Sequence, residues 1–266
     1  MTQLRTAEDA VLRDPWPDAP RLAYAAAVAA TDPDRARGIR AEIALLEAKR
    51  AGRAGHTPDA GLIPSLKAHA HVVFEPLLED LFPPGDDAHC YGLGRGFPEQ
   101  IFTSAGWLLE HAPVLLARVP VLDLYVGGLA GHVEAFFDSP WLARIRSLDL
   151  SENGLGDRDV ERIAASPHLG RLRALELSFN RVDTAGLDAL ATSPNLPQLR
   201  YLGFRANRAP DPNPRVEYYE EGEQFPIPTA DMAAFLARHP GCRFIGRVPV
   251  NEYPGLLQDA AGGPIP

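Results

Sequence analysis

Apolar positions in the middle of the chain repeat on a fixed grid. Residues 145–155 read Ile145-x-x-Leu148-x-Leu150-x-x-Asn153-x-Leu155, and residues 172–182 read Leu172-x-x-Leu175-x-Leu177-x-x-Asn180-x-Val182. Residues 199–207 continue it as Leu199-x-x-Leu202-x-Phe204-x-x-Asn207. The asparagines are 27 residues apart. Alternating apolar positions predict a short strand in each unit, with a turn at the asparagine. Helical spacing then predicts helices such as 157–165 and 184–191. A fixed period of this length signals stacked units, none of which can bury its apolar face alone.

A second landmark has the same period. Pro113, Pro140, Pro167 and Pro194 are evenly spaced, with Leu115, Leu142, Leu169 and Leu196 two positions after them. This extends the array one unit upstream, where Val119-x-x-Leu122-x-Leu124-x-x-Gly127-x-Leu129 has glycine in place of asparagine. A first strand is expected over 97–102 and a first helix over 104–112. The period breaks after Asn207. Thr229-Ala-Asp-Met232 resembles Thr184-Ala-Gly-Leu187 but lies 45 residues on, which implies an insertion of 18 residues in the last unit. A strand near Arg243-Phe244-Ile245 would close the array.

The first fifty residues follow a different pattern. Three helices are predicted, the second from Asp18 with Pro20 in its first turn, the third from Asp32-Pro33. Ile39, Ile43 and Leu46 form one stripe of the third. Residues 51–61 are rich in glycine and form a linker. Residues 62–82 return to helix, which Pro76 should kink or split. Gly92-x-Gly94-x-Gly96 reads as a turn before the first strand, since it lacks the context of a phosphate-binding loop.

Composition narrows the function. A net charge of -9 disfavours nucleic acid as a partner, because phosphate binding needs a basic surface. The two cysteines, Cys90 and Cys242, indicate no disulfide framework and favour a reducing, cytoplasmic setting. No signal-peptide core or membrane span is expected. Arginine outnumbers lysine heavily, with only Lys49 and Lys67, which suggests a GC-rich bacterial genome.

The units resemble leucine-rich repeats of the longer, ribonuclease-inhibitor-like kind. The match covers roughly 97–250. The N-terminal part resembles the repeat-companion domain found before such repeats in some bacteria, through Asp14-Pro15, Asp18-Ala-Pro-Arg-Leu-Ala-Tyr24-Ala25, Asp32-Pro33 and Arg35-Ala-Arg-Gly-Ile39-Arg40. Where that family carries an Asp-Trp pair and an acidic residue, this chain has Ala26, Ala27 and Gly38. The resemblance implies an α/β fold: a short curved solenoid, strands parallel and concave, helices convex, preceded by a small all-helical region. It implies a binding scaffold and no catalytic activity. The expected divisions are a helical domain at 1–50, a linker and cap at 51–96, and the array at 97–250. The insertion lies near 208–228, and a tail occupies 251–266.

Asn153, Asn180 and Asn207 are expected to be structural. An amide offers both donor and acceptor, and can satisfy turn groups in its own and the next unit. Function would then lie on outward strand positions. Alternation assigns Val121, Asp123 and Tyr125, then Ser147, Asp149 and Ser151, then Ala174, Glu176 and Ser178, then Tyr201, Gly203 and Arg205 to the concave face. Asp123, Asp149 and Glu176 would form a lateral row of repelling carboxylates, at about 1 kcal/mol per pair. A basic protein surface would relieve it, with Tyr125 and Tyr201 as anchors. The insertion adds Tyr218, Tyr219, Glu220 and Glu221 as a second partner-binding element.

His69 and His71 face apart on a helix, and neither they nor His89 and Cys90 form a metal motif. No cofactor is implied. The leading reading is a non-enzymatic protein-binding module. Its alternatives are an inhibitor or antitoxin, or a hydrolase or transferase using the N-terminal helices and the loop at 83–96.

Overall fold

The computed structural model describes residues 2–50, 62–83, 85, 88–204, 207, 237 and 243–245. Four helices open the chain: α1 (Thr2–Arg13), α2 (Asp18–Val28), α3 (Pro33–Arg50) and α4 (Ile63–Leu81). A hairpin of β1 (His89–Gly94) and β2 (Phe97–Ser104) leads into α5 (Ala105–Arg118). Then come β3 (Asp123–Gly127), α6 (Val133–Phe137), a 3-10 helix (Pro140–Arg144), β4 (Ser147–Asp149) and α7 (Asp157–Ala165). The last described elements are β5 (Ala174–Glu176), α8 (Thr184–Thr192), β6 (Tyr201–Gly203) and β7 (Arg243–Ile245).

These strands form one sheet in chain order. β1 and β2 pair antiparallel, and each later pair is parallel. The expected closing strand is β7. The segment Thr229–Met232, and the insertion itself, lie outside the described residues.

Local chemistry explains several element boundaries. Asp32 Oδ1 accepts the Arg35 N–H at 3.0 Å and caps α3, with Pro33 in the first turn. Asp18 is the first helical residue of α2, and its carboxylate accepts from Arg95 at 2.7 Å. Ser104 Oγ accepts the Trp107 N–H at 3.2 Å and starts α5. Pro76 sits inside an undivided α4, and Pro113 sits inside α5. Pro113 is therefore not equivalent to Pro167 and Pro194, which follow helix ends.

One inward row carries the array. Ile101, Leu124, Leu148, Leu175 and Leu202 lie in register across β2–β6, all buried. Leu108, Leu115, Val160, Ile163, Leu187 and Leu190 of the helices pack onto them. Each such side chain contributes roughly 2 kcal/mol on burial. A second core joins the N-terminal helices to the hairpin, through Val11, Tyr24, Ile39, Ile43 and Phe74 against Leu93 and Phe97.

The register corrects two expectations. Leu124, not Leu122, pairs with Leu148, so the upstream unit is 24 residues long, shorter than the 27-residue period. Asp123 consequently faces Ser147, and Tyr125 faces Asp149. Val121 points into the core, not outward. The glycine-rich stretch is also more than a turn: Gly92 and Gly94 belong to β1, and the turn is confined to Arg95 and Gly96. Gly94 is needed because a Cβ there would collide with the Glu99 side chain.

The asparagines bind backward along the array, not forward. Asn180 Oδ1 accepts the N–H groups of Asn153 at 3.1 Å and Leu155 at 2.9 Å, both in the preceding unit. Its Nδ2 donates to the carbonyls of Leu150 at 3.0 Å and Leu177 at 2.9 Å. Asn153 likewise reaches Leu129 and Val126, and Asn207 reaches Val182 and Leu177. A serine ladder runs on the helix side at the same period. Ser166 Oγ donates to the Phe137 carbonyl at 2.7 Å, and Ser193 Oγ to the Ala164 carbonyl at 2.5 Å. Removing the amide strands several buried backbone groups, each costing about 1–3 kcal/mol. Asn180→Ala is expected to lower the unfolding free energy by about 3 kcal/mol or more, read from a urea midpoint at unchanged slope.

Candidate functional site

The sheet face turned away from the helices carries two outward rows. The first is Phe102, Tyr125, Asp149, Glu176 and Gly203; the second is Gln100, Asp123, Ser147, Ala174 and Tyr201. The face changes character along the sheet. Phe102 is 37% exposed, and Tyr125, Ser147 and Asp149 are half-buried. Ala174, Glu176, Tyr201 and Gly203 are buried.

The exposed end holds an aromatic stack. His89, Phe102 and Tyr125 belong to three adjacent strands. Their ring centroids are 4.8 Å apart in both steps, with interplanar angles of 27° and 20°. That separation matches the spacing between strands, so the backbone itself sets the rings face to face. Neighbouring rings cover each other's faces.

The expected carboxylate row does not form. Asp123 is displaced by the register and buried against Arg146, whose Nη2 lies 2.8 Å from Asp123 Oδ2. Burial pushes the Asp123 carboxyl up to about 6, against the pull of the Arg146 guanidinium. Asp149 Oδ1 accepts the Ser151 N–H at 2.9 Å and its hydroxyl at 2.6 Å. Glu176 Oε1 accepts the Ser178 N–H at 2.8 Å, and the carboxylate leans over Gly203, where a Cβ would collide with it. These acids terminate strands. The recurring acid-x-Ser at 149–151 and 176–178 was the signal for this, and it is the turn chemistry of side chains that bond their own backbone two residues on. Tyr201 is fully buried and cannot serve as an exposed anchor. Arg205, Tyr218, Tyr219, Glu220 and Glu221 lie outside the described residues.

A junction between the N-terminal helices and the sheet escaped sequence reasoning. Arg21 and Arg95 both bind Glu99, at 2.5 and 2.9 Å, in a buried cluster. Arg35 lies over Tyr24, Phe74 and Phe97 at 4.8, 4.4 and 5.5 Å from their ring centres. Further along, Trp16 donates from its indole to the Arg144 carbonyl at 3.0 Å and stacks under Arg171 at 4.4 Å. Residues from widely separated positions meet here, and no local pattern announces them. His69 bonds Asp32 at 2.8 Å. Burial pushes the Cys90 thiol up to about 11, which suits packing rather than nucleophilic chemistry. Among the described residues no His, Cys, Asp or Glu cluster has metal-binding geometry, and no helix is long and apolar enough to cross a membrane.

Comparison with protein families matches residues 145–164 and 172–191 to the Leucine Rich repeat model. Those two segments are similar to leucine-rich repeats. The two matched segments are the β4–α7 and β5–α8 units, those with the Asn153 and Asn180 ladder. No curated protein matches the chain. Leucine-rich repeats generally mediate protein–protein interaction, typically without catalysis.

The Arg146–Asp123 pair gives a pH-dependent test of the repeat face. Arg146→Met leaves a buried carboxylate uncompensated, at a cost of roughly 3–5 kcal/mol. Losing the guanidinium also raises the Asp123 carboxyl further, so protonation relieves the penalty as pH falls. Urea unfolding is expected to show a larger loss at pH 8 than at pH 5.

Proposed function

We propose that the protein is a non-enzymatic scaffold that holds another protein on the concave side of a curved leucine-rich-repeat array. The observation that carries this is the partly exposed stack of His89, Phe102 and Tyr125. Three rings held by adjacent strands lose little side-chain freedom on binding, and so supply contact area at low entropic cost. Aromatic residues on a rigid face are the usual centres of binding energy. The contact begins at this aromatic end and includes Asp149. Asp123, Glu176 and Tyr201 act beneath it by holding the face in shape.

The insertion contributes the second element, with Tyr218, Tyr219, Glu220 and Glu221 meeting a basic partner surface. Arg205 flanks it. The net charge of -9 supports a basic partner over an acidic one.

Affinity capture from the native host, read by mass spectrometry, tests the proposal. Phe102→Ala with Tyr125→Ala is expected to weaken capture by about 2 kcal/mol or more per ring, with unfolding midpoint little changed. Glu220→Lys with Glu221→Lys is expected to reduce it further. Capture that survives both pairs at wild-type level sinks the proposal.

A further inference from the structure

Six ionisable side chains from five elements meet at the β1–β2 turn. Three are cationic: Arg21 of α2, Lys67 of α4 and Arg95 of the turn. Three are acidic: Asp18 of α2, Glu42 of α3 and Glu99 of β2. Glu99 takes both guanidinium groups, and Asp18 takes Arg95 at 2.7 Å. Arg95 also donates to the carbonyls of Pro15 at 3.1 Å and Trp16 at 3.0 Å, tying the α1–α2 loop to the turn.

Glu42 is the exception. It is 4% exposed, yet it forms no salt bridge with a described side chain. Its carboxylate instead accepts the backbone N–H of Arg95, a residue held in the left-handed region at φ 48°. That turn conformation is unfavourable for a side-chain-bearing residue. The Glu42 bond is one of the contacts that hold it.

We propose that Glu42 is a proton switch on the joint between the N-terminal helices and the repeat array: proton uptake seats the β1–β2 turn, and proton loss loosens it. The groups facing Glu42 are Lys67 from α4, Arg95 from the turn, Glu99 from β2 and Arg21 from α2. Burial dominates and pushes the Glu42 carboxyl from 4.5 up to about 7, while Lys67, the Arg95 N–H and Arg21 pull it down and Glu99 pushes it up. Burial also lowers Lys67, whose ammonium donates to the Leu93 carbonyl at 2.6 Å. A neutral Glu42 still accepts from Arg95 through its carbonyl oxygen, so the seated geometry survives protonation.

The direction of the effect follows from linkage. The seated state holds the Glu42 proton more firmly than the opened one. Its advantage is therefore complete below about pH 4.5 and declines as pH rises, becoming level above about 7.

Amide hydrogen exchange of the full chain between pH 5 and 8, corrected for the intrinsic chemical rate, reads the opening of residues 94–97. The opening constant is expected to rise by up to about tenfold per pH unit until Glu42 is ionised, then to flatten. Glu42→Gln keeps an acceptor for Arg95 but cannot titrate, and is expected to give a flat profile. A flat wild-type profile, or an unchanged slope in the variant, overturns the proposal. Carboxyl NMR of the wild-type protein is an independent arm that needs no variant. A Glu42 signal titrating below pH 5.5 refutes the switch, and one titrating near 7 supports it.

Discussion

Asn180 answers a backbone accounting problem that every unit shares. Where a strand ends and the chain turns toward its helix, N–H and C=O groups of two adjacent units point inward without ladder partners. One amide accepts from Asn153 and Leu155 and donates to Leu150 and Leu177. Because those bonds reach into the preceding unit, they fix the stacking distance as well as the turn. The length of the turn then follows. Gly128, Glu152 and Phe179 all adopt left-handed backbone, at φ 65°, 61° and 59°, just before or near this point. Glycine does so freely, whereas Glu152 and Phe179 tolerate the conformation because the surrounding bonds over-determine it.

The strand face inherits its character from the same geometry. Strands of three residues leave only two outward positions each in β4, β5 and β6. In β4 and β5 the second of these is an acid that closes the exit turn by bonding the serine two residues on. Such acids look like a charged patch in sequence and behave as caps in the fold. β2 and β3 are longer, with eight and five residues, and carry aromatic side chains at the corresponding register. The aromatic stack therefore sits at the end of the sheet where no carboxylate is consumed by a turn.

Two unlike contacts join the N-terminal helices to the β1–β2 hairpin. One is an apolar core in which Phe97 of β2 meets Tyr24 at 4.9 Å and Phe74 at 5.8 Å between ring centres. The other is the buried charge cluster around Arg95 and Glu99. Buried ion pairs contribute little net stability, but breaking one partner is costly. A joint of this kind accepts one arrangement of the turn and penalises others. That specificity, rather than strength, is what charges add beside the apolar core.

Periodicity alone determined the repeat architecture, the helices at 157–165 and near 184–192, and the parallel strands through Leu148, Leu175 and Leu202. These features depend on local alternation and on a spacing that recurs, so neighbouring residues suffice to specify them. The upstream register, the fate of Asp123, Glu176 and Tyr201, and the stack of His89, Phe102 and Tyr125 were decided only in the tertiary structure. So was the cluster of Arg21, Glu42, Arg95 and Glu99. A two-residue shift between β3 and β4 changes which side chains are neighbours without altering the apolar alternation, because the strand period is two. Burial of a charge likewise depends on groups brought from five elements at once. Repetition along the chain carries information about the framework, and only the packed array decides which of its outward positions meet solvent.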